Sequence, residues 1–539
     1  MGRLPTVRPM RSSQSPTTAA TGHTGPTAWR TPYVVFVALV MALTGWLALQ
    51  EGLTRYLPQL RHTQDAATLR AQAQALRDHP TPEQTAAYSA ELAALSRVTD
   101  ARRFTDSALV EHGLYLAHMP RFNRGLLTGH ILLGVCCMLF GGLQFWPGLR
   151  QRHMRLHRAV GGLYVVTAPV SVLLSLVYLT QTPPEHLYTR LTGYVALWLF
   201  GLGALAAIAL AMVALRRRCI HEHMGWMALS FSCLMVAPML RLNWVFMAWL
   251  LPHIDQETLN LVTLGFMLPQ CLLIGHGLLL ANRRAQGPAR PRPMSAVAAS
   301  ATRRFLQATP LWWALAAGCA WLMLRHFVAG QGLSSVSMAT ALVPQALAER
   351  EAWAWAAAPW LGPALGLSTA AGMAWALHGF LVGLRAPGMA ATQATHNRHA
   401  MGTLGAWAVA ALSVVAGLSA LGLGWQMGIA PDRQWLQGGT FYTVHGVLLL
   451  GLAGLLVRRL WWVRPGQTAF VQESLALLLA VLPAPALATA LLQAASHLPL
   501  SADLVASGHV QLLATAAGNG LLALACIHAV LGRATREHT

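Results

Sequence analysis

The stretch 191–215 reads LTGYVALWLFGLGALAAIALAMVAL, and three arginines follow it at 216–218. It carries no charged side chain and is long enough for an α-helix to cross the hydrocarbon core of a bilayer. Arginines placed directly after such a stretch are typical of the cytoplasmic end of a membrane span. The stretch therefore predicts an integral membrane protein whose spans are helices.

Similar apolar segments recur along the chain in two sets of about six, separated by a Pro/Arg/Ala-rich stretch at 285–304. Because each set has an even number of spans, the two sets are predicted to share one orientation as a parallel repeat. The predicted fold is all-α, a polytopic transmembrane helix bundle of about twelve spans in two parallel six-span repeats. The segments lie near 33–50, 126–147, 159–180, 191–215, 224–248 and 259–281, and then near 310–328, 362–384, 401–424, 441–457, 471–493 and 507–530.

The composition supports a membrane protein and excludes several other classes. Charged residues make up 10% of the chain and apolar residues 55%, whereas a soluble domain carries about 25% charge. The net charge of +20 would suggest nucleic acid in a soluble protein, but here the arginines cluster at span ends and indicate topology. We therefore expect a lipid bilayer and no nucleic acid as the partner. The absence of a CxxCH motif excludes covalently attached c-type haem.

The arginine-rich loops alternate along the chain, and this alternation predicts the topology. Both termini are expected in the cytoplasm of a bacterium, with the spans in its inner membrane. Residues 51–125 are expected outside, as short amphipathic helices. The predicted organisation is a cytoplasmic tail at 1–32, a first bundle at 33–282 that includes 51–125, a linker at 283–305, a second bundle at 306–532 and a tail at 533–539.

Two pairs of short motifs carry the predicted duplication. HRAVGGLYVV from His157 resembles HAMGTLGAWAV from His399, and each follows an arginine-bearing loop. IGHGLLLANRR around His276 resembles CIHAVLGRATR around His528. The other spans match between the halves only in hydropathy.

Histidines are the main polar side chains inside the predicted spans, since no Asp or Glu lies in the middle of one. A proton-coupled or cation-coupled transporter commonly has such a carboxylate, so that mechanism is disfavoured. Histidines in lipid serve as metal or haem ligands, as proton relays or as hydrogen bonds between helices. The recurring pairs His157 with His276, and His399 with His528, favour axial ligation of haem b. The alternative is that each histidine in the spans, His130 included, merely anchors a helix end or bonds a neighbour's carbonyl.

Arg241 is the most costly side chain in the predicted bundle, because an arginine at the centre of a span costs roughly 2.5–3.5 kcal/mol. No carboxylate is available in the neighbouring spans, so an internal salt bridge is disfavoured. The partners that remain are a haem propionate, a quinone oxygen, a lipid phosphate, a water-filled cavity or the outer loops. The alternative is that Arg241 extends to the outer interface. A further hypothesis places Arg241 and His130 in one outward-facing polar pocket beneath residues 51–125.

Four motifs occur in order over roughly 110–280: His130 early in the second span, GGLQF with Gln144, HRAVGGLY with His157, and HMGW with His223, followed by Arg241. In these motifs the chain resembles the bacterial predicted membrane proteins of the domain-of-unknown-function family 2306. The resemblance implies a membrane bundle and no established reaction. The chain departs from that pattern at Ala159, and its second half lacks equivalents of His130, His223 and Arg241. A looser similarity links it to b-type cytochromes and ferric-reductase-like bundles.

The leading functional prediction is a b-type haem-binding or quinone-linked electron-transfer protein. The alternative is a non-enzymatic permease, sensor or membrane assembly factor with structural histidines. A third class, a lipid-processing enzyme, lacks support because we find no paired carboxylates or nucleophile–base motif. Whether the protein is an enzyme stays open. The candidate cofactor-binding residues are His157, His276, His399, His528, His130, His223 and Arg241, with His157 and His276 as the proposed ligands of the haem iron.

Overall fold

The structure is a computed structural model of the chain, and the part it describes is built from helices, without a strand among the described residues. This confirms the predicted all-α polytopic bundle. The described residues are 30–60, 65–78, 80–98, 110, 114–116, 118–187, 189–250, 256–264, 266–284, 296–332, 345–385, 393–428, 438–462, 469–495 and 520.

The first bundle arranges its long apolar helices in a closed ring. Each long helix packs on the next along the chain, and α12 returns to contact α1. Three short helices, α2 to α4, lie between the first two long ones, as the sequence predicts for residues 51–125. The helices are α1 Arg30–Glu51, α2 Ala66–Asp78, α3 Pro82–Tyr88, α4 Ala90–Ser96, α5 Arg121–Gln144, α6 Pro147–Arg152, α7 Met154–Thr180, α8 Arg190–Arg216, α9 Ile220–Leu234, α10 Val236–Leu250, α11 Gln256–Leu264 and α12 Met267–Arg284.

The second bundle repeats this order of contacts between consecutive long helices. The first long helix of each bundle also ends in a π-helical turn, at Gly52–Tyr56 and at Leu324–Val328. These likenesses support the predicted parallel repeat, which stays a prediction. The helices are α13 Ala296–Gln307, α14 Thr309–Met323, α15 Gln345–Ala357, α16 Leu361–Arg385, α17 Gln393–Met427, α18 Gly439–Trp462, α19 Ala469–Val481 and α20 Ala484–Ala495.

In the described part of the chain, nine helical segments are long and apolar enough to cross a membrane, and a tenth is a pair bent by 54°. The bent pair, Glu222–Leu234 with Val236–Met247, is the predicted fifth span. The predicted sixth span is divided into α11 and α12. The predicted twelfth span lies outside the described residues, apart from Gly520. The structure thus supports many spans without fixing their number at twelve.

Prolines explain where the spans break. Pro238 lacks the N–H group that would bond to the carbonyl of Leu234, and α9 ends at Leu234. Pro269 lies in the first turn of α12, where its missing N–H group costs nothing. Pro483 and Pro485 likewise separate α19 from α20. Prolines in the sequence therefore mark the places where these helices begin or end.

The first bundle has two chemically different ends. We call one the basic end, because it carries Arg150, Arg158 and the arginines at 216–218. We call the other the capped end, because α4 contacts α1 there and reaches α10 through an ion pair between Glu91 and Arg241. This polarity matches the predicted topology, whose assignment to cytoplasm and exterior stays a prediction.

The two bundles lie side by side and pack on each other. Towards the capped end, the ring of Phe266 on the first bundle stacks on Phe441 of the second, with 5.5 Å between the ring centroids. Towards the basic end, the Tyr33 hydroxyl donates to the carbonyl of Ile274 and lies within electrostatic range of Arg459. Corresponding ends of the two bundles are therefore neighbours.

Candidate functional site

Three motifs that are distant in sequence meet at the basic end of the first bundle. We call the group of Gln144, Arg150, His157, His223 and Met224 the motif cluster. Its members come from α5, α6, α7 and α9. This convergence places the cluster among three of the long helices.

Gln144 lies directly against α7. A Cβ atom at Gly161 would be only 2.9 Å from the Gln144 Oε1 atom, so a larger residue at 161 would have to displace the amide. His157 is four residues before Gly161 and therefore shares its helix face. The Gln144 amide and the His157 ring consequently lie on the same side of α7.

The arginine and histidine side chains of the motif cluster are also close together. The Arg150 guanidinium donates from Nη1 to the Met224 Sδ atom at 3.6 Å. His157 lies within electrostatic range of Arg150, His223 and Arg158. The His223 Nδ1 atom lies 3.0 Å from the carbonyl oxygen of Ala211, which fixes the ring on α8.

Below the motif cluster the bundle is tightly packed. The Tyr164 and Ser230 hydroxyl oxygens are 3.1 Å apart and bridge α7 to α9. A Cβ atom at Gly141 would lie 2.8 Å from both the Phe231 and Tyr164 rings, so only glycine fits there. The Phe231 ring also packs on Phe145, with 5.6 Å between centroids. The motif cluster therefore lies directly on closely packed aromatic side chains.

Two buried nitrogen atoms of the motif cluster have no hydrogen-bond partner within the described part of the chain. They are the Gln144 Nε2 atom and the His157 Nδ1 atom. An amide nitrogen only donates, and an imidazole nitrogen donates when it carries a proton. Buried donors are rarely left unpaired in proteins, so such atoms call for an explanation. A ligand with acceptor oxygens would satisfy both.

Several of the sequence-predicted residues have other roles in the structure. The His130 Nδ1 atom lies 2.9 Å from the Ser171 carbonyl oxygen and 3.1 Å from its hydroxyl oxygen. The Ser171 hydroxyl also donates to the His130 carbonyl. His130 thus joins α5 to α7, which is the helix-anchoring alternative for that histidine. Its shared pocket with Arg241 stays a hypothesis.

Arg241 is paired with a carboxylate of the protein. Its Nε and Nη2 atoms donate to the two carboxylate oxygens of Glu91, at 2.5 and 3.1 Å. Its guanidinium also lies over the Trp244 ring, 4.9 Å from the centroid. The sequence disfavours a carboxylate from the neighbouring spans and leaves the loop segment 51–125 open, and the partner Glu91 comes from α4 in that segment.

For two of the four proposed axial ligands the structure describes the helix but not the side chain. These are His276 in α12 and His399 in α17. His528 lies wholly outside the described residues. The predicted approach of His157 to His276 therefore stays a prediction. Within the described part of the chain, no three His, Cys, Asp or Glu side chains converge as a metal site would require.

Sequence reasoning did not select Gln144, Arg150 and Met224 as site residues. Gln144 lies at the end of one span, Arg150 follows that span, and Met224 begins another. The signal was present, since all three lie in or beside the motifs that carry the family resemblance. Their contacts with His157 and Gly161 depend on how the helices pack.

Fold and site together define a polytopic α-helical membrane protein with a motif cluster at one end of its first bundle. Residues 127–276 match the family model described as Predicted membrane protein (DUF2306), so this part of the chain is similar to that family. The match encloses the whole motif cluster as well as Arg241. A search of curated proteins and a search of solved structures each found no match.

Proposed function

We propose that the protein is a quinone-linked electron-transfer protein of the membrane, and that the motif cluster binds the quinone headgroup. The observation that supports this most is the pair of unpartnered buried nitrogen atoms, on Gln144 and His157. A quinone headgroup is uncharged and presents carbonyl oxygens that accept hydrogen bonds. Its isoprenoid tail would extend into the lipid beside the bundle.

The position of the motif cluster suits such a ligand. His157 and Arg158 stand in the first turns of α7, where the apolar helix begins. The next residues on the lipid side, Leu163 and Val166, are exposed apolar side chains. A ligand with a polar head and an apolar tail could therefore reach the cluster from the bilayer.

The charges of the motif cluster favour a ligand that gains negative charge. Arg150 and Arg158 lie near His157, whereas the acid in this turn of α9, Glu222, is 3.4 Å from the Trp226 Nε1 donor. A guanidinium close to an oxygen that accepts electrons stabilises the reduced form. Arg150, rather than Arg241, is therefore the cation assigned to the ligand in this proposal.

The test is quinone binding by purified protein in lipid nanodiscs. Ubiquinone-1 is titrated into wild type and into Gln144→Leu and His157→Leu, and binding is followed by calorimetry. We expect a loss of affinity of about tenfold for each variant, since one hydrogen bond to a buried acceptor contributes about 1–1.5 kcal/mol.

The matched control is His153→Gln. His153 lies four residues before His157, is exposed, and precedes α7 as its capping residue. Its replacement should leave the affinity unchanged. Equal binding by wild type and by both cluster variants would contradict the proposal, and so would equal losses in the control.

Haem b is the second candidate, and the orientation of His223 favours it. Its Nδ1 atom is bound to the Ala211 carbonyl, which leaves Nε2 free to face a ligand, as in many metal-bound histidines. His157 on α7 would be the second imidazole. Bound haem would supply a one-electron redox centre. The visible spectrum tests this: a Soret band that is lost in His223→Leu supports haem, and a colourless wild type refutes it.

A further inference from the structure

A group of amide side chains at the capped end of the first bundle is separate from the motif cluster. We call Asn243, Gln256, Asn260 and Gln270 the amide cluster. They come from α10, the second half of the broken fifth span, and from α11 and α12, the two halves of the broken sixth span. All four are buried, and the exposed fractions of Gln256 and Asn260 are only 2% and 1%.

Part of the amide cluster is hydrogen-bonded internally. The Asn243 amide nitrogen donates to the Gln270 Oε1 atom at 2.9 Å, joining α10 to α12. The Trp244 indole donates to the Asn260 Oδ1 atom at 2.6 Å, joining α10 to α11. These two bonds hold the three helices around one polar region.

The rest of the amide cluster lacks partners. The Gln256 Nε2 and Oε1 atoms and the Asn260 Nδ2 atom are buried and make no hydrogen bond within the described part of the chain. Gln256, Asn260 and Thr263 lie at helical spacing on one face of α11. An unpaired buried polar group costs about 1–3 kcal/mol. Two donor nitrogens and one acceptor oxygen are thus presented together at considerable cost.

The helix breaks provide the second, independent observation. Met235 separates α9 from α10, and the fifth span bends there by 54°. The sixth span is divided into α11, which ends at Leu264, and α12, which begins at Met267. Interrupted helices inside a membrane are tolerated where they are buried in protein or line a polar cavity, and they commonly form solute sites. The amides lie directly on both sides of the break in the sixth span.

Towards the basic end, the space below the amide cluster is closed. A Cβ atom at Gly275 would lie 2.8 Å from the Ala228 carbonyl oxygen and would overlap the Ser232 side chain. The backbones of α9 and α12 are therefore in close contact there. This contact blocks approach to the cluster between α9 and α12.

We propose that the amide cluster is a binding site for a small uncharged solute that both donates and accepts hydrogen bonds, such as a primary amide. The cluster contains no ionisable side chain, and the nearby charge of Arg241 is balanced by Glu91. Among the described side chains of α10, α11 and α12, a charged ligand would meet no unbalanced opposite charge at the cluster. This inference is independent of the quinone proposal and concerns the opposite end of the bundle.

The test measures access to the cluster with introduced cysteines in nanodisc-embedded protein. Thr263→Cys places a thiol of similar size on the amide face, and Val262→Cys is the matched control, since both residues are fully buried but point to different sides of α11. A membrane-impermeant methanethiosulfonate reagent is applied, with wild type as the baseline for native cysteines. We expect labelling about tenfold faster at position 263 than at 262, because a reachable polar site opens more easily than packed core.

Acetamide serves as the uncharged probe and tetramethylammonium as a charged probe of similar size. Acetamide should slow labelling at position 263 several-fold, and tetramethylammonium should not. Gln256→Met, introduced together with Thr263→Cys, should remove the protection by acetamide. Should Thr263→Cys fail to fold, acetamide-induced thermal stabilisation of wild type, lost in Gln256→Met, replaces this readout.

Three results would overturn the proposal. Equal labelling at 262 and 263 would mean that the cluster is dry and closed. Fast labelling that acetamide does not change would mean a hydrated cavity only. Protection by tetramethylammonium would mean a cation site.

Discussion

The capped end of the first bundle and the corresponding end of the second bundle each attach a short connecting helix to the long helices, but through different side chains. Each brings a carboxyl group from a short connecting helix to a nitrogen-bearing side chain of a membrane-span segment. In the first bundle Glu91 of α4 binds Arg241, and in the second Glu351 of α15 binds His326 at 2.7 Å. Both pairs lie beside the π-helical turn that ends the first long helix of the bundle.

The two ion pairs differ in burial and in the groups around them. The side chains of His326 and Glu351 are only 4% and 2% exposed, whereas Arg241 keeps 27% of its side chain exposed. Glu91 belongs to a larger network, since its backbone N–H and the Ser89 hydroxyl both donate to the buried Glu51 carboxylate. The first bundle thus spreads these contacts over several partly buried residues, whereas in the second the pair itself is almost fully buried.

The largest effect is expected at the buried pair of the second bundle. His326→Leu leaves the Glu351 carboxyl group buried without its imidazole partner, which should lower the free energy of unfolding by about 3 kcal/mol. Glu351→Leu leaves an uncharged imidazole and should cost less, about 1–2 kcal/mol. Titration of detergent-solubilised protein with SDS measures both. Equal losses would mean that the buried Glu351 carboxyl group does not depend on its imidazole partner.

The Arg241–Glu91 pair should show a smaller effect, because it is partly exposed. Glu91→Leu should lower the free energy of unfolding by about 2 kcal/mol, between the values for exposed and buried pairs. The double variant with Arg241→Leu should recover part of this loss. Trypsin should also cleave more quickly after the exposed Arg97 when α4 is released. Unchanged stability and cleavage in Glu91→Leu would show that Arg241 does not hold the cap.

The network around Glu51 offers a third test of the difference between the bundles. Ser89→Ala removes a 2.6 Å hydrogen bond to the Glu51 carboxylate and the cap of α4 at the Leu92 N–H group. The expected loss is about 1.5 kcal/mol, since a hydrogen bond to a charged group contributes more than a neutral one. Ser96→Ala, whose hydroxyl bonds only within its own helix, is the control and should change little. Equal effects of the two substitutions would refute a supporting role for Ser89.

The smallest effect is expected at Thr81, which caps α3. Its hydroxyl accepts from the Gln84 N–H group, and the Gln84 side chain accepts from the Thr81 N–H group. Thr81→Ala should cost about 0.5–1 kcal/mol. Because α3 is one of the short helices at the capped end and is not part of a span, hydrogen exchange should increase in α3 and not in α5. If Thr81→Ala changed hydrogen exchange by the same amount in α3 and in α5, this prediction would be wrong.

Hydropathy and arginine positions predict much of the fold, because a bilayer requires long apolar helices and imposes charge asymmetry on their ends. The break in the fifth span could also have been anticipated from Pro238, which removes one backbone hydrogen bond. The pairing of Arg241 with Glu91 could not, since the two residues are separated by 150 positions and meet only through tertiary packing. A carboxylate outside the spans carries no local signal that identifies its partner.

The candidate site was predicted in part. The motifs pointed to His157 and His223, and the structure brings both into one cluster. His130 was selected for the same reason but bonds to Ser171, because a polar residue in a motif can equally serve helix packing. Gln144 and Arg150 gain their importance from contacts across α5, α6 and α7 that sequence spacing does not specify.

The central claim is that the motif cluster at the basic end binds a ligand through Gln144 and His157. A cryo-electron microscopy map of the protein purified with native lipids tests it most directly. The account predicts planar non-protein density within hydrogen-bonding distance of the Gln144 Nε2 and His157 Nδ1 atoms, absent from the map of the Gln144→Leu variant. A map in which these two atoms bond to protein groups, with no additional density between them, would contradict it.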